Sequence, residues 1–170
     1  MRVVTHVDGF LVPGEAQHLK WLRDEPGKKY ELKVQIAGWQ PGDAREVSFL
    51  GRTIRLYKTG IGIEGDDKHV KGLIDEWERH ECSPVSTPYV KPSNAEDVSN
   101  EERQLMSDKD AKRFRRAAAQ LNYVTLDRPD LSFSSRVASS RMSKPLEGDE
   151  MLIKRVIRYL RGKLRVSLFF

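Results

Sequence analysis

Three cations recur at i, i+4 and i+7 near the C-terminus: Lys154, Arg158 and Arg161, with Arg155 flanking. On a helix this spacing puts them on one face and leaves Val156, Ile157, Tyr159 and Leu160 to pack. Further upstream, Lys112, Arg115 and Arg116 lie across a helix from the stripe Phe114, Ala118 and Leu121. Two basic faces on neighbouring helices suit the phosphate backbone of a nucleic-acid duplex, where contacts position without reading bases. The charge distribution agrees. Residues 1–102 hold 14 Lys and Arg against 18 Asp and Glu, whereas residues 103–170 hold 16 against 7, so the net charge of +5 comes from the C-terminal part. Such an excess points to a polyanion. A bundle-knitting role stands beside it, with Arg115, Arg128 and Arg158 pairing with Asp127, Asp130 or Glu147. For Arg128 both readings are open. For Lys154, Arg158 and Arg161 phosphate contact is the expectation.

One carboxylate also stands where chemistry could occur. In Val3-Val4-Thr5-His6-Val7-Asp8-Gly9-Phe10-Leu11-Val12, two β-rich arms meet at Asp8-Gly9. Asp-Gly between alternating hydrophobics is in itself a tight-hairpin signal with positive φ, and needs no further role. His6, His18, His69 and His80 form no ligand or nucleophile pattern. Cys82, the single cysteine, has no basic cluster to lower its pKa and no partner for a disulfide. Gly60-x-Gly62-x-x-Gly65 has dinucleotide spacing but does not open a helix after a strand, so it is set aside.

The elements that must position these residues follow from periodicity. A helix is expected over Glu15–Asp24, with Ala16, Leu19 and Leu22 as its stripe and Pro26-Gly27 as its stop. Alternation in Tyr30–Ile36 reads as a half-buried strand. Gly38–Asp43 is a loop, Val47–Tyr57 a strand region, and Thr59-Gly60 turns it into Ile61–Glu64. Asp66 or Asp67 caps a helix carrying Val70, Leu73, Ile74 and Trp77, ending near His80. Pro84–Glu102 is a proline-rich polar linker. Helices follow over Asp108–Tyr123, Pro129–Met142 and Glu147–Arg161, the second with Pro129 at its first position. Leu164–Phe170 reads as the first strand of something further on. No run approaches the ~18 apolar residues of a membrane span, and no signal segment opens the chain, so an intracellular setting is expected.

Several strings in order carry a resemblance: Phe114-Arg115, Leu121-Asn122-Tyr123-Val124, Arg128-Pro129-Asp130-Leu131-Ser132-Phe133, Ser140-Arg141-Met142-Ser143-Lys144-Pro145 and Lys154–Gly162. Together they resemble the stretch of a copia-type retrotransposon polyprotein that joins reverse transcriptase to RNase H. Upstream, Cys82–Pro88, Lys68-His69-Val70, Phe49-Leu50-Gly51 and Tyr30-Glu31-Leu32-Lys33 extend it over nearly the whole chain. In that frame His6-Val7-Asp8-Gly9 falls where the family has its catalytic aromatic–x–Asp–Asp turn.

The resemblance implies an α+β fold. A partial palm (1–65) carries the turn and a primer-grip hairpin at Phe49, Leu50 and Gly51. Residues 66–83 are a first thumb helix, 84–107 a linker, and 108–170 a helical thumb and connection leading toward RNase H. It implies an RNA-directed DNA polymerase using Mg²⁺ on an RNA/DNA template-primer duplex, with polyprotein segments missing on both sides. Lys33 would correspond to a lysine that protonates pyrophosphate, but a solvated strand lysine is the favoured reading. Ala119 and Glu150, in place of the family's glycine and tryptophan, leave a helix intact. Gly9, in place of the second aspartate, does not leave the chemistry intact. Two-metal transfer needs carboxylates from two places. Only Asp8 remains as a metal ligand, so the chain is expected to be inactive alone. Two other readings remain open: a non-catalytic module on duplex backbone, and a relic without selected function.

Overall fold

The computed structural model describes residues 1–77, 83–91 and 103–170. Its elements run β1 (Val4–His6), β2 (Gly9–Leu11), α1 (Ala16–Gly27), β3 (Glu46–Phe49), β4 (Arg52–Tyr57), β5 (Gly60–Gly65), α2 (Lys68–Trp77), α3 (Asp108–Val124), a 3₁₀ turn at Pro129–Leu131, α4 (Ser132–Ser140), α5 (Glu150–Gly162) and β6 (Ser167–Phe169). The chain divides into two compact units, Met1–Ile63 with Phe169–Phe170, and Glu64–Leu168.

In the first unit, β1 and β2 form a two-stranded antiparallel hairpin with Val4 opposite Leu11 and His6 opposite Gly9. The β3 and β4 strands pair antiparallel from Glu46–Arg55 to Phe49–Arg52, and the sheet continues in the order β3-β4-β5-β6. The stretch expected as one strand region, Val47–Tyr57, is thus itself a hairpin, folded at Leu50-Gly51. Strand β6 joins this sheet at its β5 edge. Phe170 and Ile61 exchange both backbone bonds at 2.9 Å, which pairs the C-terminal residues with β5.

One further expectation fails in this unit, because a strand needs a partner to pair with. Tyr30–Ile36 alternates as a strand should, yet it forms no strand, and residues 30–35 are exposed. Its ties are peripheral: Ala44 N–H donates to the Ile36 carbonyl (3.0 Å), with an isolated bridge between Ala37 and Ala44. A half-buried pattern makes a strand only where a neighbour can pair with it. Helix α1 runs past Asp24 to Gly27 with Pro26 in its last turn, and none of its residues is buried. The helix thus ends at the expected Pro26-Gly27 stop, with the proline ring in its last turn, where few bonds remain to be lost.

The second unit holds the core. Leu73, Phe114, Ala118, Leu121, Leu131, Ile153, Val156 and Leu160 are sealed from solvent, and the whole buried hydrophobic cluster comes from this unit. Helix α3 forms because an apolar residue recurs every three to four positions, and because Ser107 Oγ accepts the Asp110 N–H (3.2 Å) while donating to the Asp110 carboxylate (2.6 Å). Asp66 caps α2 by accepting the Lys68 N–H at 2.9 Å. The second expected helix is shorter than Pro129–Met142: it opens as a 3₁₀ turn with Pro129 first and ends at Ser140. The third starts at Glu150 rather than Glu147, because Gly148 takes a φ of +91°, outside the helical region.

Residues 83–91 lack regular structure, as a linker would, but they are docked. Arg158 Nε donates to the Ser83 carbonyl (2.8 Å), Arg155 to Thr87 Oγ1 (3.0 Å), and the Tyr89 and Phe133 rings meet edge-on at 4.8 Å. Residues 103–107 are docked too, with Met106 N–H on the Pro145 carbonyl (3.1 Å) and Glu147 N–H on the Gln104 carbonyl (2.9 Å). The expected end of the thumb helix near His80, Cys82 and the rest of the expected linker lie outside the described residues. No helix among the described residues is long and apolar enough to cross a membrane.

Candidate nucleic-acid interface and hairpin turn

The Asp8 turn is tighter and more strained than its sequence suggests. Because His6 pairs with Gly9, the two turn residues are Val7 and Asp8, and Gly9 belongs to the strand. The positive φ expected at Asp-Gly falls instead on Val7, at +52°. A β-branched residue rarely enters that region, where the Cβ crowds the carbonyl at about 1–2 kcal/mol. Strain of this kind clusters at functional sites, and the observation bears on Asp8, which is exposed beside it. Gly9 itself has room. A Cβ there would lie 3.4 Å from the His6 carbonyl oxygen and 3.6 Å from Phe49 Cε2, ordinary contact distances. The turn hairpin and the β3–β4 hairpin therefore approach each other at Gly9 and Phe49.

At the tip of the β3–β4 hairpin, Leu50 has φ +51° and Gly51 φ +70°. Two left-handed residues between paired strands make a turn whose twist matches the strands. Gly51 meets this demand freely. Leu50 does so under strain, with its side chain about half exposed.

Among the described residues, the Mg²⁺ that the family resemblance implies finds no fitting donor set. Asp8 is followed by Gly9, and among the described residues no three of His, Cys, Asp and Glu come together as a metal would need. Lys33 lies exposed in the unpaired stretch. Of the histidines, His18 faces Glu15 at 3.9 Å and His69 packs edge-on against Tyr123 at 4.6 Å. The Gly60–Gly65 spacing lies within β5.

The basic residues sort themselves by what they touch. On α3, Lys112, Arg115 and Arg116 are exposed, across the helix from buried Phe114, Ala117, Ala118 and Leu121. Arg115 gives Nε to the Met142 carbonyl (2.7 Å), and Arg116 reaches Glu76 at 3.5 Å with two thirds of its side chain exposed. On α5, Lys154 stands 3.8 Å from Glu150, Arg158 is tied to the Ser83 carbonyl and Arg161 is exposed. Their face lies across from Ile153, Val156, Tyr159 and Leu160.

Arg128, open between two roles in the sequence, is structural in this fold. It is only 5% exposed and grips Asp130 with two parallel bonds, Nε to Oδ1 (3.0 Å) and Nη2 to Oδ2 (2.8 Å). Its Nη1 donates to the Lys163 and Leu164 carbonyls (3.0 and 3.3 Å), closing the C-terminal end of α5. Tyr159 adds its hydroxyl to Asp130 Oδ2 (2.9 Å). Burial pushes the Asp130 carboxyl upward, but the bonds from Arg128 and Tyr159 and the Arg128 charge outweigh it and hold the group below the ordinary carboxylate range.

Sequence reasoning missed a second ion cluster. Asp149, 2% exposed, accepts from Arg103 (2.5 Å), from Arg141 and from the Leu146 N–H (2.9 Å). The only signal was the string Ser140–Pro145, whose two cations have no obvious partner until the chain folds back through Asp149.

Comparison with known proteins finds similarity over most of this chain. An uncharacterized mitochondrial protein of Arabidopsis thaliana is 31% identical over 121 residues, covering 71% of this chain and 48% of that protein. The chain spans about half the length of the curated relative it matches. No family model matches the chain, and no solved structure matches it.

Proposed function

We propose that this chain is a segment of a copia-type retrotransposon RNA-directed DNA polymerase, running from the catalytic turn through thumb and connection. Alone it holds a template-primer duplex by its backbone and does not polymerise. The observation that carries the binding half is the placement of Lys112, Arg115 and Arg116 on α3, and of Lys154, Arg158 and Arg161 on α5, each row across its helix from the buried stripe. Rows of cations on the solvent side of a rigid bundle suit phosphates, which need charge and position but no base reading. The strained Val7-Asp8 turn and the Leu50-Gly51 tip support descent from a catalytic turn and a primer grip. The ordered strings of the C-terminal half favour this over a relic with no selected surface.

The test is fluorescence anisotropy of a labelled RNA–DNA hybrid titrated with the full chain over a range of salt. Binding is expected to be weak and indifferent to sequence. Lys112→Gln, Arg116→Gln and Lys154→Gln together should flatten the slope of log affinity against log salt by about two to three units. Glutamine keeps helix propensity near that of the parent residues, so the unfolding midpoint should hold. A triple variant that binds like the parent would refute the interface.

A further inference from the structure

We propose that the recess between the C-terminal end of α4 and the loop into α5 binds a phosphate group, through Arg141, Ser143 and Lys144. This names a discrete site within the duplex-backbone reading, and it rests on that reading only for where the phosphate comes from.

The recess measures about 370 Å³ and is lined by these three residues together with Arg103 and Asp149. That volume falls at the small end of ligand pockets. Its lining has no aromatic ring for a base to stack on, and its donors are two guanidiniums, an ammonium and the hydroxyls of Ser140 and Ser143. Those groups match the oxygens of a tetrahedral anion.

The charge balance favours an anion. Three cations face one carboxylate, and that carboxylate is already satisfied: Asp149 Oδ1 accepts from Arg103 and Arg141, and Oδ2 accepts the Leu146 N–H at 2.9 Å. Arg103 is held in place further by the Glu147 carbonyl, through Nε at 3.0 Å and Nη2 at 2.6 Å. Arg141 meets Asp149 through Nη1. The exposed side chains of Ser143 and Lys144 make no bond with any described residue. The positive charge that Lys144 adds therefore sits beside a scaffold of Arg103, Arg141 and the Leu146 N–H held by part-buried bonds to Asp149. Arg115 braces the same corner from α3 through the Met142 carbonyl (2.7 Å), so the recess adjoins the α3 row of cations.

The experiment uses the full chain and inorganic phosphate, read by amide shifts in heteronuclear NMR, with a hybrid duplex titration alongside. Phosphate should shift Ser143 and Lys144 saturably, and Ser143→Ala/Lys144→Gln should weaken its binding at least tenfold. That double variant leaves the Asp149 bonds untouched, so its unfolding midpoint should stay at the parent value; Arg141→Gln would unpair Asp149 and is avoided. In the duplex arm, a salt slope lower by about one unit identifies a backbone phosphate as the source. An unchanged slope with phosphate binding lost identifies a free phosphate-bearing molecule; both results uphold the site. No saturable shift by phosphate, or phosphate binding unchanged in the double variant, overturns it. Failure of the duplex interface alone would appear instead as a parent-like Lys112/Arg116/Lys154 variant.

Discussion

Replacing Asp130 by Asn tests whether Arg128 belongs to the fold or to the ligand surface. Arg128 is 5% exposed at its side chain and Asp130 26%, and they are joined by two parallel bonds. Removing one partner from a fully buried ion pair costs about 3–5 kcal/mol, because a desolvated charge is left uncompensated. Asp130 is partly solvated, Asn keeps one acceptor oxygen, and the Lys163 and Leu164 carbonyls still hold Nη1. The expected loss is therefore about 2–3 kcal/mol. Tyr159→Phe removes one bond to a charged acceptor, worth about 1.5 kcal/mol. Since both variants act on Asp130, the double variant should fall short of their sum. Urea unfolding followed by far-ultraviolet circular dichroism reads the helices of the second unit directly. The pH dependence supplies an independent check. Asp130 is depressed in the fold, so as pH falls the unfolded chain takes up the proton first. Its contribution is complete above about pH 4 and is lost as pH falls through the folded value. Tyr159 is raised, first by burial and then by Asp130, so its contribution is complete below about pH 10 and is lost as pH rises toward the folded value. Both dependences should shrink in the double variant. A loss below about 0.5 kcal/mol for Asp130→Asn, the range of an ordinary surface change, would refute the structural assignment. So would Arg128→Gln flattening the duplex salt slope with stability intact.

Three further outcomes are expected. With primed template, Mg²⁺ and nucleotides the chain should extend no primer. Gly9→Asp should fold normally, given the clearances at that position, and still extend nothing; product from either protein would sink the missing-carboxylate argument. Hydrogen exchange should be faster throughout residues 1–63 than in 108–162, because the buried core lies in the second unit, and equal protection would show the first unit to be self-sufficient. Val7→Gly should slow exchange of the β1–β2 amides by relieving about 1 kcal/mol at φ +52°, whereas faster exchange would mean that the valine side chain matters more than its backbone strain.

Much of the second unit was legible in the chain. The stripes Val70-Leu73-Ile74 and Phe114-Ala118-Leu121 find their burial because a helix makes its own hydrogen bonds, so its face can be read from local spacing alone. The opposed rows of cations follow from the same periodicity. Partners distant in sequence were not legible. Nothing local in Tyr30–Ile36 reveals that its alternation lacks a neighbouring strand, since strand bonds are made with another segment. Nor does the chain by itself show that Arg128 closes on the carbonyls of 163 and 164, that Arg103 and Arg141 converge on Asp149 across more than forty and eight residues, or that the C-terminal Phe170 returns to Ile61. Even the turn at Asp8 was decided by register. Pairing His6 with Gly9 moved the positive φ from the glycine, which tolerates it, to Val7, which does not. Local periodicity determined which faces are basic and which are buried; tertiary pairing decided which charges are held inside and which lie at the surface.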